Sequence, residues 1–116
     1  MDFAALTAKV RRFVAERDWE RFHTPKNLVM ALAGEVGELT ELFQWLTADE
    51  STHVLADAKT AEKVRDELAD VFVYVLRLVD VLGVDIEAAV HAKMAKNAAK
   101  YPVALAKGKA VKYTDL

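Results

Sequence analysis

The chain has 116 residues, of which 53% are apolar and 29% charged, and this composition is typical of one globular domain rather than of a disordered segment. Its net charge of −2 gives no electrostatic support for a nucleic-acid polymer as partner, and the absence of cysteine excludes disulfides and thiolate metal sites. The first residues lack the features of a signal peptide, and the most apolar run is too short for a bilayer of about 30 Å, so we expect a cytoplasmic protein without a membrane partner.

Helical spacing of apolar residues prevails along the chain, and proline and glycine are scarce, which predicts four helices with short connections. The first helix is expected from about Asp2 to Asp18. The second is expected from about Pro25 to Leu46, with Thr24 as its N-cap and Pro25 as its first residue. The polar stretch 47–57 is the one sizeable loop that the sequence predicts.

The third helix, from about Thr60 to Leu82, is apolar around most of its circumference, which predicts a central position in the fold. Gly83 suits the left-handed position that ends a helix, and Asp85 suits the N-cap of a fourth helix that ends before Pro102. The tail beyond Pro102 has no strong period. The sequence therefore predicts an all-α, four-helix bundle that forms a single domain over residues 1–116.

Two acidic pairs lie at helical spacing within otherwise apolar sequence: Glu35 with Glu38 on the second helix, and Glu67 with Asp70 on the third. At about 100° per residue, each pair lies on one side of its helix, and Glu35 borders a core stripe that includes Val36. Burying several unpaired carboxylates would be prohibitive, because each would lose its hydration or take up a proton. A hard divalent cation would resolve this conflict, so the pairs predict a metal site.

Two further interpretations of the acidic pairs remain open. The carboxylates could be the solvated edges of amphipathic helices. They could also belong to a ferritin-like di-iron bundle, but that site uses Glu-x-x-His pairs, and neither pair here has a histidine three residues on. Zinc more often recruits histidine or cysteine, whereas magnesium prefers carboxylate oxygens and retains waters. The sequence thus favours magnesium, for which manganese could substitute.

These residues resemble the MazG-like all-α nucleoside triphosphate pyrophosphohydrolases, and within them the dCTP pyrophosphatase subgroup. The family motif, E-x-x-E followed by E-x-x-D, matches Glu35, Glu38, Glu67 and Asp70. The resemblance covers nearly the whole chain, and the full series of matching segments is far more specific than the acidic motif alone. It includes RDWERFH at 17–23, GEVGEL at 34–39, FQW at 43–45, DELADV at 66–71, KM at 93–94, Asn97, KYP at 100–102 and KYTDL at 112–116.

The resemblance implies magnesium-dependent hydrolysis of a deoxynucleoside triphosphate, dCTP or a modified dCTP, to the monophosphate and pyrophosphate, in sanitation of the nucleotide pool. By the family pattern the four carboxylates hold magnesium. We expect Glu38 to orient the attacking water as well, with Glu41 as an outer helper. The resemblance also implies a homotetramer arranged as a dimer of dimers. The alternative is a helical module that binds nucleotides or a protein partner without catalysis, and the intact carboxylates speak against it.

The resemblance further implies a nucleoside pocket whose flat aromatic faces could stack on a base. Its residues would be Trp19, His23, Trp45 and Tyr74, although helical spacing alone would also fit core aromatics, and His23 would fit a loop or capping residue. On the fourth helix, a shared face is expected to meet phosphate or sugar oxygens, with an ordinary solvated face as the alternative. That face carries Lys93, Asn97 and Lys100.

Position 10 departs from the family pattern. Some close relatives of the dCTP-hydrolysing type carry a substrate-contacting histidine where this chain has Val10. A site that recognises its base through hydrogen bonds loses selectivity when one polar partner is missing. The resemblance therefore leaves the preferred base open.

Overall fold

The computed structural model describes residues 1–116, which form two compact units, Met1–Gly83 and Val84–Leu116. All of the regular structure is helical, so the all-α prediction is confirmed. The first unit contains α1 (Phe3–Glu16), α2 (Pro25–Phe43), α3 (Ala48–Ser51), α4 (Ala58–Leu82) and a 3-10 turn at Glu20–Phe22. The second contains α5 (Ile86–Lys100), α6 (Val103–Ala106) and a 3-10 turn at Tyr113–Asp115. The four long helices match the four expected ones, α3 and α6 are additional, and the single domain remains a prediction.

Side-chain caps determine where α2 and α4 begin. The hydroxyl of Thr24 accepts a hydrogen bond from the amide of Asn27 at 3.3 Å, and Pro25 is the first helical residue, as predicted. The carboxylate of Asp57 accepts from the amide of Thr60 at 2.9 Å. Because Asp57 is the cap, α4 begins two residues before the predicted start at Thr60.

Helix α2 ends at Phe43, three residues before the predicted end at Leu46. The amide of Leu46 donates to the carbonyl of Phe43 at 2.9 Å, which closes a tight turn instead of continuing the α-helix. Trp45 therefore lies in the turn that follows α2, and not on the helix where the sequence placed it.

The prediction of a loop over 47–57 is wrong for its first part, which forms α3. The hydroxyl of Thr47 accepts from the amide of Glu50 at 3.1 Å, and the carboxylate of Glu50 accepts from the amide of Thr47 at 2.9 Å. These two reciprocal bonds are a capping box, and they satisfy amides that the first turn of a helix otherwise leaves unpaired.

Helix α4 lies at the centre of the first unit, where it packs mainly against α2 and less extensively against α1. The fully buried apolar core is small and consists of Val14, Leu28, Ala61, Val64 and Leu76. Val36, which the sequence placed on the core stripe of α2, is 44% exposed. Many other large apolar side chains also remain in contact with solvent. The isolated chain therefore has more apolar surface than its own core can bury.

In the second unit, the carboxylate of Asp85 accepts from the amide of Ala88 at 3.0 Å and caps α5, as predicted. Gly83 closes the first unit in the left-handed conformation expected of it, with φ of 66°. The tail is more ordered than its sequence period suggests, since Tyr113 packs edge-on against Tyr101 with ring centroids 6.1 Å apart. None of the helices combines the length and apolarity that crossing a bilayer requires.

Candidate metal centre and a small pocket

Three of the four predicted metal ligands meet where α2 packs against α4. Carboxylate oxygens of Glu35, Glu38 and Glu67 all lie within 4.8 Å of one another. Residues three apart lie on the same side of a helix. The acidic pair of α2 and the acidic pair of α4 can therefore both face the contact between these two helices. Asp70 is exposed and stands outside this group of three, although its negative charge adds to the upward shift in the pKa of Glu35 and of Glu67.

Two oxygens of this cluster are enclosed without a hydrogen-bond donor. They are Oε2 of Glu35 and Oε2 of Glu67, and no other buried side-chain nitrogen or oxygen in the chain lacks a partner. Leaving a buried polar atom unpaired costs about 1–3 kcal/mol, and more when the group is charged. The fold therefore concentrates its unsatisfied polar groups at one point, which is typical of a site that receives a ligand.

The electrostatics of the cluster oppose full ionisation. Burial, followed by repulsion from Glu38, raises the pKa of Glu35 to about 7. Burial is also the largest cause of the raised pKa of Glu67, and the charge of Glu38 acts in the same direction. A bound cation would reverse these shifts, because an opposite charge at short range favours the ionised carboxylate.

The chemistry of the donor set fits a hard divalent cation. The cluster offers carboxylate oxygens only, without the histidine that a di-iron bundle uses or the histidine and cysteine that zinc prefers. A cation held on one side by carboxylates keeps other coordination positions for water or phosphate oxygens. Solvated helix edges, the alternative interpretation, do not account for the two oxygens that are buried without a donor.

A second feature of the first unit is a small pocket of about 70 Å³ formed by α1, the segment before α2, and α4. Trp19, His23 and Tyr74, three of the four predicted nucleoside-pocket residues, line it together with Val10. The ring of Phe13 packs edge-on against Trp19, with centroids 5.8 Å apart. The structure thus brings together residues from three segments that the resemblance assigned to one pocket.

Trp45 and Glu41 do not join either cluster. The side chain of Trp45 is 87% exposed. Glu41 lines a separate cleft of about 610 Å³ between the end of α2, α3 and the start of α4, together with Asp49 and His53. Their assignments to the substrate and to the reaction remain predictions.

The predicted phosphate-binding residues belong to the second unit. Lys93 and Lys100 are exposed on α5, and Asn97 is half-buried. The ammonium of Lys100 lies 4.8 Å from the centroid of the Tyr113 ring and makes a cation–π contact with it. The role of this face in binding phosphate remains a prediction.

Sequence reasoning missed Arg77, which is only 9% exposed and lines the small pocket. Its Nε donates to Nδ1 of His23 at 3.1 Å, and its Nη1 donates to Oδ2 of Asp80 at 3.4 Å. Asp80 also accepts from Nε of Arg11 at 2.7 Å. The available signal was a pair of opposite charges three residues apart in the most apolar run, because such charges are rarely buried unless paired.

The pKa of Asp80 and the pKa of His23, the two hydrogen-bond partners of Arg77, are both lowered. The hydrogen bond from Arg11 is the largest cause that lowers the pKa of Asp80, so the carboxylate stays ionised between two arginines. Burial, together with the positive charge of Arg77, lowers the pKa of His23. His23 is therefore neutral at pH 7, and its Nδ1 is free to accept the bond from Arg77.

Comparisons of the sequence and of the structure with known proteins agree with one another. The sequence model of the MazG-like family matches residues 31–116, which include all four predicted metal ligands. Over 104 residues, or 90% of the chain, the identity is 49% with dCTP pyrophosphatase 1 of Rattus norvegicus and 46% with that of Homo sapiens. The chain spans 61% of the length of these curated relatives. A solved structure of a pyrophosphatase from Archaeoglobus fulgidus superposes with a TM-score of 0.80 at 41% identity, over 88% of this chain and 94% of that one.

Proposed function

The chain belongs to the MazG-like family, and from that premise we propose that it hydrolyses dCTP, or a modified dCTP, to the monophosphate and pyrophosphate. The observation that carries this proposal is the group of Glu35, Glu38 and Glu67 with its two donor-less buried oxygens. The names of the mammalian relatives support dCTP as the substrate. Because the chain spans 61% of their length, activity and substrate alike are proposals for this chain.

We propose magnesium as the cation, held by the three clustered carboxylates and by Asp70. When bound, magnesium neutralises triphosphate charge, polarises the α-phosphorus and lowers the pKa of a water molecule. Glu38 is the exposed member of the cluster, so it is the carboxylate that a water molecule reaches most readily. We therefore assign Glu38 to orient the attacking water and accept its proton, with Glu41, three residues further on, as an outer helper.

The remaining predicted residues are proposed to bind the nucleotide. Trp19, His23 and Tyr74 share the small pocket, which supports a role in holding the base. Trp45 is proposed to contribute an additional aromatic face. On α5, two cations and an amide at three-and-four spacing could meet phosphate or sugar oxygens, and these are Lys93, Asn97 and Lys100. A substrate from the nucleotide pool fits the cytoplasmic location that we propose.

The proposal is tested by measuring pyrophosphate release from dCTP, 5-methyl-dCTP, dUTP, dTTP, dATP and dGTP. Release is expected from the cytosine nucleotides with magnesium, or with manganese in its place, and not with excess chelator. Release that is unaffected by chelator would refute the metal mechanism. Binding of these nucleotides without any release would instead support the non-catalytic module.

The affinity for magnesium is expected to depend on pH. Since the pKa of Glu35 is raised to about 7, its carboxyl group holds a proton below that pH, and the cation must displace it. The apparent affinity should therefore rise by up to about tenfold per pH unit below pH 7 and level off above it. Calorimetric titration between about pH 6 and pH 8 should show this slope together with proton release. Equal affinities across the range in the wild-type protein would contradict the expected competition.

The proposed homotetramer, a dimer of dimers, would bury apolar surface that the isolated chain exposes. Val36 on α2, Leu68 on α4 and Met94 on α5 are between 44% and 60% exposed, and a core of five fully buried apolar residues leaves them uncovered. Light scattering is expected to give about four times the chain mass of 12.9 kDa. A monomer at micromolar concentration would rule this assembly out.

A further inference from the structure

Arg77 is the charged side chain of the small pocket, and most of its hydrogen-bonding capacity is unused. Arginine has five N–H bonds. One of them is directed to His23 and one to Asp80, which leaves three without an acceptor: one on Nη1 and both on Nη2. Nη2 has no hydrogen-bond partner and is not an enclosed atom, although the residue as a whole is 91% buried. The donors of Nη2 are therefore accessible to a ligand, and the pocket is the cavity that Arg77 lines.

The guanidinium group is held in place before any ligand arrives. His23 anchors its Nε from the segment before α2, and Asp80 anchors its Nη1 from one turn further along α4. Asp80 is fixed in turn by its ion pair with Arg11 on α1. Because two helices and a connecting segment orient the planar group, little side-chain entropy remains to be lost when a ligand binds.

The polar groups of the pocket are mainly hydrogen-bond donors. Since Nδ1 of His23 accepts from Arg77, the neutral imidazole carries its proton on Nε2 and can donate there. The indole nitrogen of Trp19 is also a donor, the hydroxyl of Tyr74 can donate or accept, and Val10 offers no polar atom. A ligand that satisfies the donors of Arg77, His23 and Trp19 must present acceptors.

We propose that Arg77 recognises the edge of the base through its Nη1 and Nη2 donors and selects cytosine over uracil and thymine. Cytosine presents two adjacent acceptors, O2 and N3, whereas uracil and thymine carry a hydrogen on N3 that faces the arginine donors. A planar pair of donors matches two adjacent acceptors, as arginine does when it binds guanine. The inference rests on the proposed function, because it concerns the base of the same nucleotide.

The size of the pocket agrees with recognition of an edge. Its volume of about 70 Å³ is well below that of sites that enclose a whole ligand, which measure about 300 Å³ or more. The edge of a single ring is therefore the part that enters. The aromatic faces of Trp19 and Tyr74 remain available for the ring itself.

The test compares Arg77→Met and Arg77→Lys with the matched control Arg65→Met, which removes an exposed arginine from the same helix. The readout is the ratio of kcat/KM for dCTP to kcat/KM for dUTP with saturating magnesium. Both Arg77 variants are expected to lower this ratio by about 10- to 100-fold, because lysine lacks the planar donor pair, and Arg65→Met should leave it unchanged. Arg77→Lys keeps the positive charge and so provides a folded variant if Arg77→Met does not fold.

A second measurement separates this inference from the proposed function. Calorimetry with chelator present compares binding of dCMP and dUMP, and the wild-type preference for dCMP should disappear in Arg77→Lys. If no triphosphate is hydrolysed but this preference and its loss are observed, the proposed function fails and the role of Arg77 stands. If the wild-type protein hydrolyses dCTP but the ratio is the same in folded Arg77→Lys, or if both substrates are affected equally, the role of Arg77 is refuted.

Discussion

Replacing Glu38 with glutamine is expected to slow pyrophosphate release from dCTP by about 100-fold or more. The amide has nearly the same volume as the carboxylate, but it cannot take a proton from the attacking water and binds a cation less strongly. Because Glu38 is the exposed member of the cluster, the replacement should leave the packing of α2 against α4 intact. Steady-state measurement of kcat and KM tests the loss of activity, and a thermal denaturation curve tests whether the packing is intact.

Glu62→Gln is the matched control, since Glu62 is an exposed glutamate of α4 outside the cluster, and its kcat should equal that of the wild type. Magnesium affinity then separates two possible roles of Glu38. A variant that binds magnesium normally but turns over slowly identifies Glu38 as the group that orients water. A variant that loses magnesium affinity in parallel with turnover identifies Glu38 mainly as a metal ligand. Wild-type turnover in Glu38→Gln would overturn the mechanism.

Replacing Leu76 with alanine is expected to lower the free energy of unfolding by about 2–5 kcal/mol. Leu76 is 2% exposed and is one of five fully buried apolar residues, so the cavity left in such a small core has few neighbours that can fill it. Urea denaturation at fixed protein and magnesium concentrations measures the change.

The same substitution at Leu55 serves as the comparison, because that side chain is 51% exposed in the segment between α3 and α4. Its effect should be well below that of Leu76→Ala. Equal losses at the two positions would show that stability resides in an interface between chains rather than in the core described for one chain.

The features that the sequence predicted depend on short-range interactions. Thr24, Gly83 and Asp85 act on amides or torsion angles within a few residues, so local sequence is sufficient to predict them. The spacing within each acidic pair is also local. Only the packing of α2 against α4 had to be added for Glu35, Glu38 and Glu67 to meet.

The features that the sequence did not reveal depend on contacts between distant segments. Arg77 meets His23 across 54 positions and Asp80 meets Arg11 across 69, and no periodicity encodes either pairing. The predicted end of α2 is wrong because the apolar spacing continues to Leu46, whereas the backbone turns after Phe43. That small difference places Trp45 in solvent.

With the proposed cation bound, the two enclosed oxygens that lack donors would also connect the cation supply to the lifetime of the protein. A ligand that binds only the folded state adds about 1.4 kcal/mol of stability when its concentration is ten times its Kd. In the proposed magnesium-bound state the cation would relieve the repulsion among the carboxylates, so depletion of magnesium would increase the fraction of molecules that open transiently. Proteases degrade such opened molecules, so the cellular amount of this protein is expected to fall together with free magnesium.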